Sequence, residues 1–231
     1  MNDLTLYDRH AAQWWDARSP FSAGLHALNQ ARLQEITTSI PTRARLVIDL
    51  GCGGGLIAEP LARAGARVIG VDISLPSLRE AARHGQGVQD LAFLRGTAIT
   101  VPLASGCADV VIAADVLEHV QAWPQILSEA ARLVKPQGLI YLNTINRTWR
   151  AGLLAIFMAE TLRLIPRGTH DYRMLVRPDE IARIAAQQGL RVEHLSGQGL
   201  RLWATLRHWR LHLVPGSRFI WGSYSMVLRR L

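Results

Sequence analysis

The chain has 231 residues, of which 49% are hydrophobic, and a formal net charge of +8. A chain of this length can bury a substantial core without disulfide or metal cross-links, so we expect a single domain, residues 1–231, in which Cys52 and Cys107 are free thiols. No apolar run reaches the roughly 20 residues of a membrane-spanning helix and the N-terminus has no signal-peptide pattern, which predicts a cytoplasmic location.

Two predicted helices open the chain, and strands and helices then alternate. The helices span residues 5–17 and 25–39 and form a predicted N-terminal helical cap, residues 1–40. Short apolar runs predict five strands, at residues 46–50, 66–72, 91–96, 108–114 and 138–144. The helical segments between most of these strands are typical of crossover connections and a parallel sheet. Farther along, the pattern predicts a helix over 178–188 and two closing strands.

A glycine-rich turn follows the first predicted strand. In IDLGCGGG, residues 48–55, Asp49 precedes a loop that opens with Gly51 and Gly53. Glycine permits positive φ and a close approach of a ligand to the backbone, and the helix N-terminus beyond the loop offers N–H groups. Asp72 ends the second strand, where a carboxylate can accept hydrogen bonds from both hydroxyls of a ribose. The spacing differs from the G-x-G-x-x-G of dinucleotide-binding folds, and a purely structural tight turn is the alternative.

This combination resembles the S-adenosylmethionine-dependent methyltransferases of the Rossmann-like class. Two later blocks extend the resemblance, ADVVIAADVLEHV (108–120) and LVKPQGLIYLNTIN (133–146). The resemblance implies an α/β fold with a seven-stranded, mostly parallel sheet and helices on both faces. It also implies S-adenosyl-L-methionine as the cofactor, with the glycine loop against its methionyl part, Asp72 on its ribose, and Thr97 and Ala98 near its adenine. Many members have an acidic residue where Thr97 stands.

Further blocks are similar to the ubiquinone-biosynthesis O-methyltransferases, the UbiG family. They are QWWDARSPF (13–21), LNQARLQEI (28–36), DVLEHV (115–120), TINR (144–147) and LIPRGTHDY (164–172). In that family an arginine of the N-terminal helix and a residue after strand four also contact the cofactor, although Arg32 by itself reads as a solvated helix residue. The predicted cofactor site therefore comprises Arg32, Asp49, Gly51, Cys52, Gly53, Asp72, Ile73, Thr97, Ala98 and Ala114.

The family resemblance implies a phenolic substrate. Members methylate a hydroxyl of a polyprenylated catechol or hydroquinol, and a phenol must lose its proton as it attacks the methyl group, so we expect a base near the cleft. His119, beside Glu118, is one candidate, and His170 with Asp171 is the second. A helix cap or a packed core histidine is the alternative role for His119.

Three potential metal ligands follow strand four. Asp115, Glu118 and His119 form the pattern D-x-x-E-H, which is similar to an acid-rich triplet of mitochondrial relatives that binds a divalent metal. A magnesium or zinc ion bridging two catechol oxygens would lower the pKa of the hydroxyl and orient the ring. An acidic patch that caps a helix would show the same pattern.

A basic insertion follows strand five. Residues 147–231 carry 14 Lys and Arg against 5 Asp and Glu, whereas residues 1–146 carry 12 against 13. Within the insertion, residues 148–176, an apolar run from Ala151 to Ala159 is flanked by arginines, which predicts an amphipathic helix. We expect residues 148–168 to dock on an anionic membrane, on the inner face, because a prenylated substrate resides in the bilayer. The alternative is a helix packed over the sheet beside the cleft.

The segment 199–220 departs from the family. A tyrosine-asparagine-proline block is replaced by RLWATLRHWRLHLVPGSRFIW (201–221), which leaves another aromatic hydroxyl open as the substrate. Stacking on Trp203 and Trp209 would suit a nucleic-acid methyltransferase or RNA-binding protein, but the sequence contains no recognised RNA-binding module. A non-catalytic scaffold that contacts other biosynthetic enzymes is the third alternative.

Overall fold

A twisted β-sheet with a reversal in its strand order organises the chain. The structure is a computed structural model and describes residues 5–19, 21–152, 171–200 and 213–231. Its strands are β1 Leu46–Leu50, β2 Arg67–Asp72, β3 Leu91–Arg95, β4 Ala108–Ala114, β5 Val134–Ile145, β6 Leu190–Leu200, β7 Leu213–Ser217 and β8 Ser223–Arg230. They lie in the order β3-β2-β1-β4-β5-β8-β6-β7. The first five strands pair in parallel, and β8, β6 and β7 join antiparallel.

The predicted α/β class with a mostly parallel sheet is confirmed, but the strand number of seven is wrong. The described residues form eight strands, because Leu213–Ser217 adds β7 to the outer edge of β6. Gly197 pairs with Ser217 and Leu200 with Leu213 in this extra ladder. The added strand lies inside the segment 199–220, which departs from the family pattern. Local pattern could not reveal it, because its pairing depends on β6 being an open edge.

Helices cover both faces of the sheet. They are α1 Thr5–Arg9, α2 Ala23–Ser39, α3 Ala58–Arg63, α4 Leu75–His84, α5 Trp123–Leu133, the single turn α6 Trp149–Ala151, and α7 Pro178–Gln187. Successive residues of β1 point to opposite faces: Val47 packs with Ile36 of α2 and Leu61 of α3, whereas Ile48 belongs to the cluster that contains Ile126 of α5. Two apolar layers therefore enclose the strands, which explains their near-continuous hydrophobic sequences.

Capping residues, proline and glycine mark the ends of several helices. The Ser74 side chain caps α4 by accepting a hydrogen bond from the Ser77 N–H at 3.2 Å. The predicted helix over 178–188 is present as α7, which begins with Pro178 and is followed by Gly189 at φ +69°. The helix predicted over 5–17 is wrong in extent, because the chain leaves α1 after Arg9 and continues as a 3-10 turn, Ala11–Gln13, and bends.

The predicted amphipathic helix of the insertion lies outside the described residues, since only its flanks, up to 152 and from 171, belong to them. Trp203 and Trp209 also lie outside them. Among the residues that the structure describes, no helix combines the length and the apolar character needed to cross a membrane. Residues 1–231 as a single domain, the cap 1–40 and the insertion 148–176 stay predictions.

Candidate cofactor and active site

A cavity of about 310 Å³ lies at the carboxyl ends of the strands β1, β2 and β4. The strand order reverses between β1 and β4, and in open α/β sheets ligands bind at such a switch point. All ten residues of the predicted cofactor site line this cavity: Arg32, Asp49, Gly51, Cys52, Gly53, Asp72, Ile73, Thr97, Ala98 and Ala114. The fold therefore brings together residues that are spread over more than 80 positions of the chain.

The glycine loop is shaped by its contacts with β2 and the cap. Gly51 lies at φ +71° and donates its N–H to the Val71 carbonyl at 2.7 Å. Gly53 lies at φ +51°, and a Cβ atom there would lie 2.6 Å from Cη2 of Trp14. Both positions combine a left-handed conformation with a close neighbour, so a larger side chain would be strained in the loop and would also displace its surroundings.

Asp72 is held at the end of β2 by backbone donors. Its Oδ2 accepts from the Gly53 N–H and its Oδ1 from the Ser74 N–H, each at 2.8 Å. Burial raises the pKa of this carboxyl, while the two N–H groups act in the opposite direction. Each carboxylate oxygen keeps a further lone pair, so the group can still accept hydrogen bonds from a ligand in the cavity.

Asp49 is a buried carboxylate beside the cavity. It is 2% exposed, and its Oδ2 has no hydrogen-bond partner among the described residues. Burial, and to a smaller extent the nearby Asp72 carboxylate, raises the pKa of Asp49 to about 8. Buried polar atoms are nearly always paired, so this oxygen suits a donor that a ligand would supply.

Arg32 is the centre of a buried polar network. The side chain is 2% exposed, so its interpretation as a solvated helix residue is wrong. Its Nε donates to Asn143 Oδ1 at 2.8 Å and its Nη1 to Asn29 Oδ1 at 2.9 Å. Its Nη2 donates to Asp115 Oδ1 at 2.6 Å and forms a salt bridge with this residue, whose backbone lies in a left-handed conformation at φ +53°. Sequence reasoning missed Asn29 and Asn143 because no local pattern marks them.

The described N-terminal residues 5–19 and 21, called the cap from here on, pack against the glycine loop and α4. Trp14 donates its Nε1–H to Ser77 Oγ at 2.9 Å, and Trp15 donates its Nε1–H to the Gly54 carbonyl at 2.9 Å. Trp14 also packs with Phe21 and Leu56 in a small apolar cluster. The bend after α1 allows both indoles to face the loop, which a continuous helix over 5–17 would prevent.

His119 lies on the cavity, whereas Glu118 does not. The 3-10 turn Leu117–His119 points His119 into the cavity, where its Nε2 lies 3.2 Å from the Tyr7 hydroxyl of α1. Glu118 is fully buried on the other side of the turn, and its Oε2 accepts from Thr144 Oγ1 at 2.7 Å. Burial, followed by the Asp115 carboxylate, raises the pKa of Glu118 to about 8. Tyr7 was not anticipated, because nothing in its local sequence sets it apart.

The predicted metal triplet does not fit a metal ion. Within the described ranges, no group of three His, Cys, Asp or Glu side chains is arranged to hold one. Asp115 is paired with Arg32, and Glu118 points toward Thr144 of β5 while His119 points into the cavity. The predicted magnesium or zinc site is therefore corrected, because Asp115 and His119 line the cavity whereas the Glu118 carboxyl is buried and accepts a hydrogen bond from Thr144.

The second predicted catalytic pair is only half described. Asp171 lies at the start of the 3-10 turn Tyr172–Met174, where its Oδ1 accepts from the Arg173 N–H at 2.9 Å. It does not belong to the cavity lining. His170 lies outside the described residues. Asp171 thus has a local capping role in the structure, and its pairing with His170 stays a prediction.

Comparisons with known proteins agree with this geometry. A family model described as "Methyltransferase domain" matches residues 48–142. The solved structure of magnesium protoporphyrin IX methyltransferase from Synechocystis PCC 6803 with bound SAH has a TM-score of 0.70 at 22% identity, covering 99% of this chain and 95% of that one. The fold is that of a methyltransferase domain.

Curated relatives identify the family within the methyltransferases. The ubiquinone biosynthesis O-methyltransferase of Thiobacillus denitrificans is 39% identical over 201 residues, which are 84% of this chain and 85% of the relative. That of Paracidovorax citrulli is 37% identical over 232 residues, which are 99% of this chain and 94% of the relative. The chain belongs to the ubiquinone biosynthesis O-methyltransferase family, as the sequence blocks predicted, and is an O-methyltransferase.

Proposed function

We propose that this enzyme transfers the methyl group of S-adenosylmethionine to a phenolic hydroxyl of a polyprenylated catechol or hydroquinol, a precursor of ubiquinone. The observation that carries the proposal is the cavity at the switch point, which Asp49, Asp72 and the glycine loop line together. The relatives named for ubiquinone biosynthesis support the substrate class.

Each end of the cofactor has a suitable partner in the cavity. Asp72 would accept the ribose hydroxyls, and Ile73, Thr97 and Ala98 would line the adenine side. The unpaired oxygen of Asp49 would accept a hydrogen bond from the ammonium group of the methionyl part. Gly51 and Gly53 would let the methionyl part approach the backbone of the loop. Cys52 in the loop and Ala114 at the end of β4 would line the same part of the cavity. Arg32 would hold the methionyl carboxylate with N–H groups of the same guanidinium that positions Asp115.

The acidic character of the cavity suits a cationic cofactor. S-adenosylmethionine supplies a methyl group that is already activated on a sulfonium. The acidic side chains of Asp49, Asp72 and Asp115 line the cavity together with one arginine, Arg32. Burial raises the pKa of Asp49 to about 8, so a bound positive charge would favour its ionised form and would be stabilised by it.

His119 is the proposed base for the acceptor hydroxyl. It is the histidine that lies on the cavity lining, at the end of the 3-10 turn that follows β4. A phenol attacks as its oxygen loses the proton, and an imidazole near neutrality is suited to take it. Glu118, which is buried behind the turn, would act only by supporting the position of His119.

Methyl transfer to a synthetic acceptor tests this function. The purified enzyme is incubated with S-adenosylmethionine and a catechol that carries a short prenyl chain, and the product is identified by mass spectrometry. We expect a mono-O-methylated catechol, and a kcat/KM at least tenfold above that for unsubstituted catechol if the prenyl chain is recognised. Equal values for both acceptors would contradict the lipid-like substrate, and cofactor binding without methylation of either phenol would contradict the reaction.

Calorimetry tests the cofactor assignment separately. Asp72→Ala removes an acceptor of two charge-assisted hydrogen bonds, each worth about 1.5–3 kcal/mol, so we expect S-adenosylmethionine to bind at least about 100-fold more weakly. Asp109→Ala is the matched control, because Asp109 lies at the amino end of β4, whereas the cavity lies at the carboxyl ends of the strands. Equal affinity of Asp72→Ala and the wild type would refute the ribose assignment.

We further propose that the insertion associates with an anionic membrane. Its described flanks expose aromatic side chains, Trp149 at 69% and Tyr172 at 42%. The Arg150 guanidinium lies 5.3 Å from the centre of the Trp149 ring, a pairing of cation and indole that suits a lipid interface. A prenylated acceptor would reach the cavity from that interface. Contact with other biosynthetic enzymes stays a prediction.

Vesicle flotation tests the membrane association. We expect the enzyme to float with cardiolipin-rich vesicles and not with neutral phosphatidylcholine vesicles, because each arginine near an anionic surface contributes about 1 kcal/mol. Trp149→Ala should weaken flotation, whereas Leu231→Ala, at an exposed position at the chain end, should not. Equal flotation with both vesicle types would contradict an anionic docking surface.

A further inference from the structure

The cap places a tyrosine hydroxyl against the proposed base. Tyr7 Oη lies 3.2 Å from His119 Nε2, although the two residues are 112 positions apart in the chain. Both side chains line the cavity. The Tyr7–His119 pair is thus a contact between the cap and the turn after β4, and it lines the same cavity as the residues of the proposed cofactor site.

An aromatic cluster holds Tyr7 in this position. Its ring stacks on Trp14 with the centroids 5.9 Å apart and the planes 10° apart. It meets Phe21 edge-on at 6.1 Å and the His119 ring edge-on at 5.8 Å. The helix that carries it is anchored to α4, because Ser74 Oγ donates to Asp8 Oδ1 at 2.5 Å. The hydroxyl is therefore held by packing on three sides rather than by a chance surface contact.

The surroundings keep Tyr7 in its protonated form. Burial raises the pKa of Tyr7 well above its ordinary value, and the carboxylates of Asp115, Glu118 and Asp72 raise it further, in that order. A neutral tyrosine hydroxyl can donate one hydrogen bond and accept another at the same time. Tyr7 can therefore donate to Nε2 of a neutral His119 while its oxygen accepts from a ligand hydroxyl.

We propose that Tyr7 is a catalytic residue that relays the proton of the acceptor phenol to His119. The proposal rests on the proposed function and deepens it. The O–H bond of the phenol breaks and its proton moves to Tyr7 Oη, while the proton that Tyr7 carried moves to His119 Nε2. Tyr7 ends as it began, and the imidazole becomes imidazolium. The phenol oxygen uses its freed electron pair to bond to the methyl group of the sulfonium, whose carbon–sulfur bond breaks with the electron pair staying on sulfur. His119 returns the proton to water after the product leaves.

Tyr7→Phe separates the relay from a structural role, because phenylalanine keeps the ring and its stacking. We expect Tyr7→Phe and His119→Asn each to lower kcat for the prenylated catechol on the order of 100-fold, the usual size of a proton-transfer contribution. The double variant should be no slower than His119→Asn within about threefold, since residues acting as one unit are not additive. The affinity for S-adenosylmethionine should stay within about twofold, because the ring contacts are retained.

An acceptor of different acidity makes the test specific. The hydroxyl of 4-nitrocatechol is largely ionised at pH 8, so it needs no proton acceptor, and the losses in Tyr7→Phe and His119→Asn should shrink to less than about fivefold. Phe21→Leu loosens the packing that holds Tyr7 but keeps its hydroxyl, so its loss on the catechol should be smaller than that of Tyr7→Phe and should also shrink with 4-nitrocatechol.

The outcomes separate the relay from the function on which it rests. If His119→Asn loses activity on the catechol and Tyr7→Phe does not, the relay is wrong while the base assignment stands. If both variants lose activity equally on the two acceptors, the pair has a structural role and the relay is overturned. If the wild type methylates neither phenol, the proposed function itself fails.

Discussion

Replacement of Asp49 by asparagine should change protein stability and cofactor binding in opposite directions. Asp49 is 2% exposed and carries a pKa of about 8, against an ordinary value of 3.8. Between these two values the folded chain holds a proton on Asp49 that the unfolded chain does not. Because the pKa is raised in the folded state, the free energy of unfolding falls as pH rises through this window and levels off above about pH 8.

The expected magnitude follows from the proton linkage. One pKa unit corresponds to about 1.4 kcal/mol, so Asp49 alone lowers the free energy of unfolding by up to about 1.4 kcal/mol for each pH unit inside the window. Asp49→Asn removes this ionisable group with little change in size. Between pH 5 and 7 the free energy of unfolding of the wild type should therefore fall by up to about 3 kcal/mol more than that of the variant. At pH 8 we expect the variant to be the more stable protein.

Urea denaturation at pH 5, 6, 7 and 8 measures this difference. Asp109→Asn is the matched control with the opposite sign. Partial burial alone would raise the pKa of Asp109, but hydrogen bonds from Lys135 and from the Leu46 N–H lower it overall. Its stabilising contribution is therefore present above the ordinary pKa and lost as pH falls. An Asp49→Asn variant with the same pH slope as the wild type would refute the reasoning.

Cofactor binding should respond in the other direction. If the ammonium group of S-adenosylmethionine pairs with Asp49, binding favours the carboxylate and releases up to about one proton at pH 7. Calorimetry in buffers of different ionisation enthalpy counts the protons released. Asp49→Asn should bind the cofactor at least about tenfold more weakly, because a charge-assisted hydrogen bond of about 1.5–3 kcal/mol is lost. The variant should release no proton on binding, because the asparagine side chain does not ionise. Unchanged affinity would disprove the pairing.

Three further predictions follow from the contacts around the cavity. Arg32→Met leaves Asp115 as an unpaired charge and should lower the free energy of unfolding, measured by urea denaturation, by about 3–5 kcal/mol. A loss below about 1 kcal/mol would show that the salt bridge between Arg32 and Asp115 does not stabilise the fold. Gly53→Ala should cost about 1–3 kcal/mol and weaken cofactor binding, since φ is +51° and the added Cβ meets Trp14, whereas Gly87→Ala, at φ +81° with open space, should cost only the conformational part and leave binding unchanged. Activity should survive a chelator, because protein donors already engage the acidic side chains after β4, and a loss restored by magnesium or zinc would contradict that geometry.

The cap has a chemical consequence beyond covering the loop. Trp14 donates a hydrogen bond to α4 and Trp15 donates one to the glycine loop, while Tyr7 contacts the turn after β4. The same short segment therefore touches both proposed halves of the site, the cofactor side and the acceptor side.

The cofactor cavity could be predicted from the sequence because its parts follow local rules. Alternating strands and helices predict parallel crossovers, and parallel strands carry their loops to one edge of the sheet. Residues at the carboxyl ends of these strands, such as Asp72 and Ala114, therefore lie near the glycine loop, whatever the exact packing of the helices. The ten predicted positions all line the cavity. The blocks that resemble the family added the arginine of α2, which composition alone would place in solvent.

Only the tertiary structure decided what the distant segments contribute. The burial of Arg32 depends on Asn143 and Asp115, which lie 111 and 83 positions away, and the Tyr7–His119 contact joins residues 112 positions apart. The turn after β4 separates Glu118 from His119, although they are adjacent in sequence. Such contacts arise from the packing of the cap on the sheet and from the direction of one 3-10 turn. Neither has a periodic signature along the chain, because each depends on surfaces that exist only after the sheet has formed.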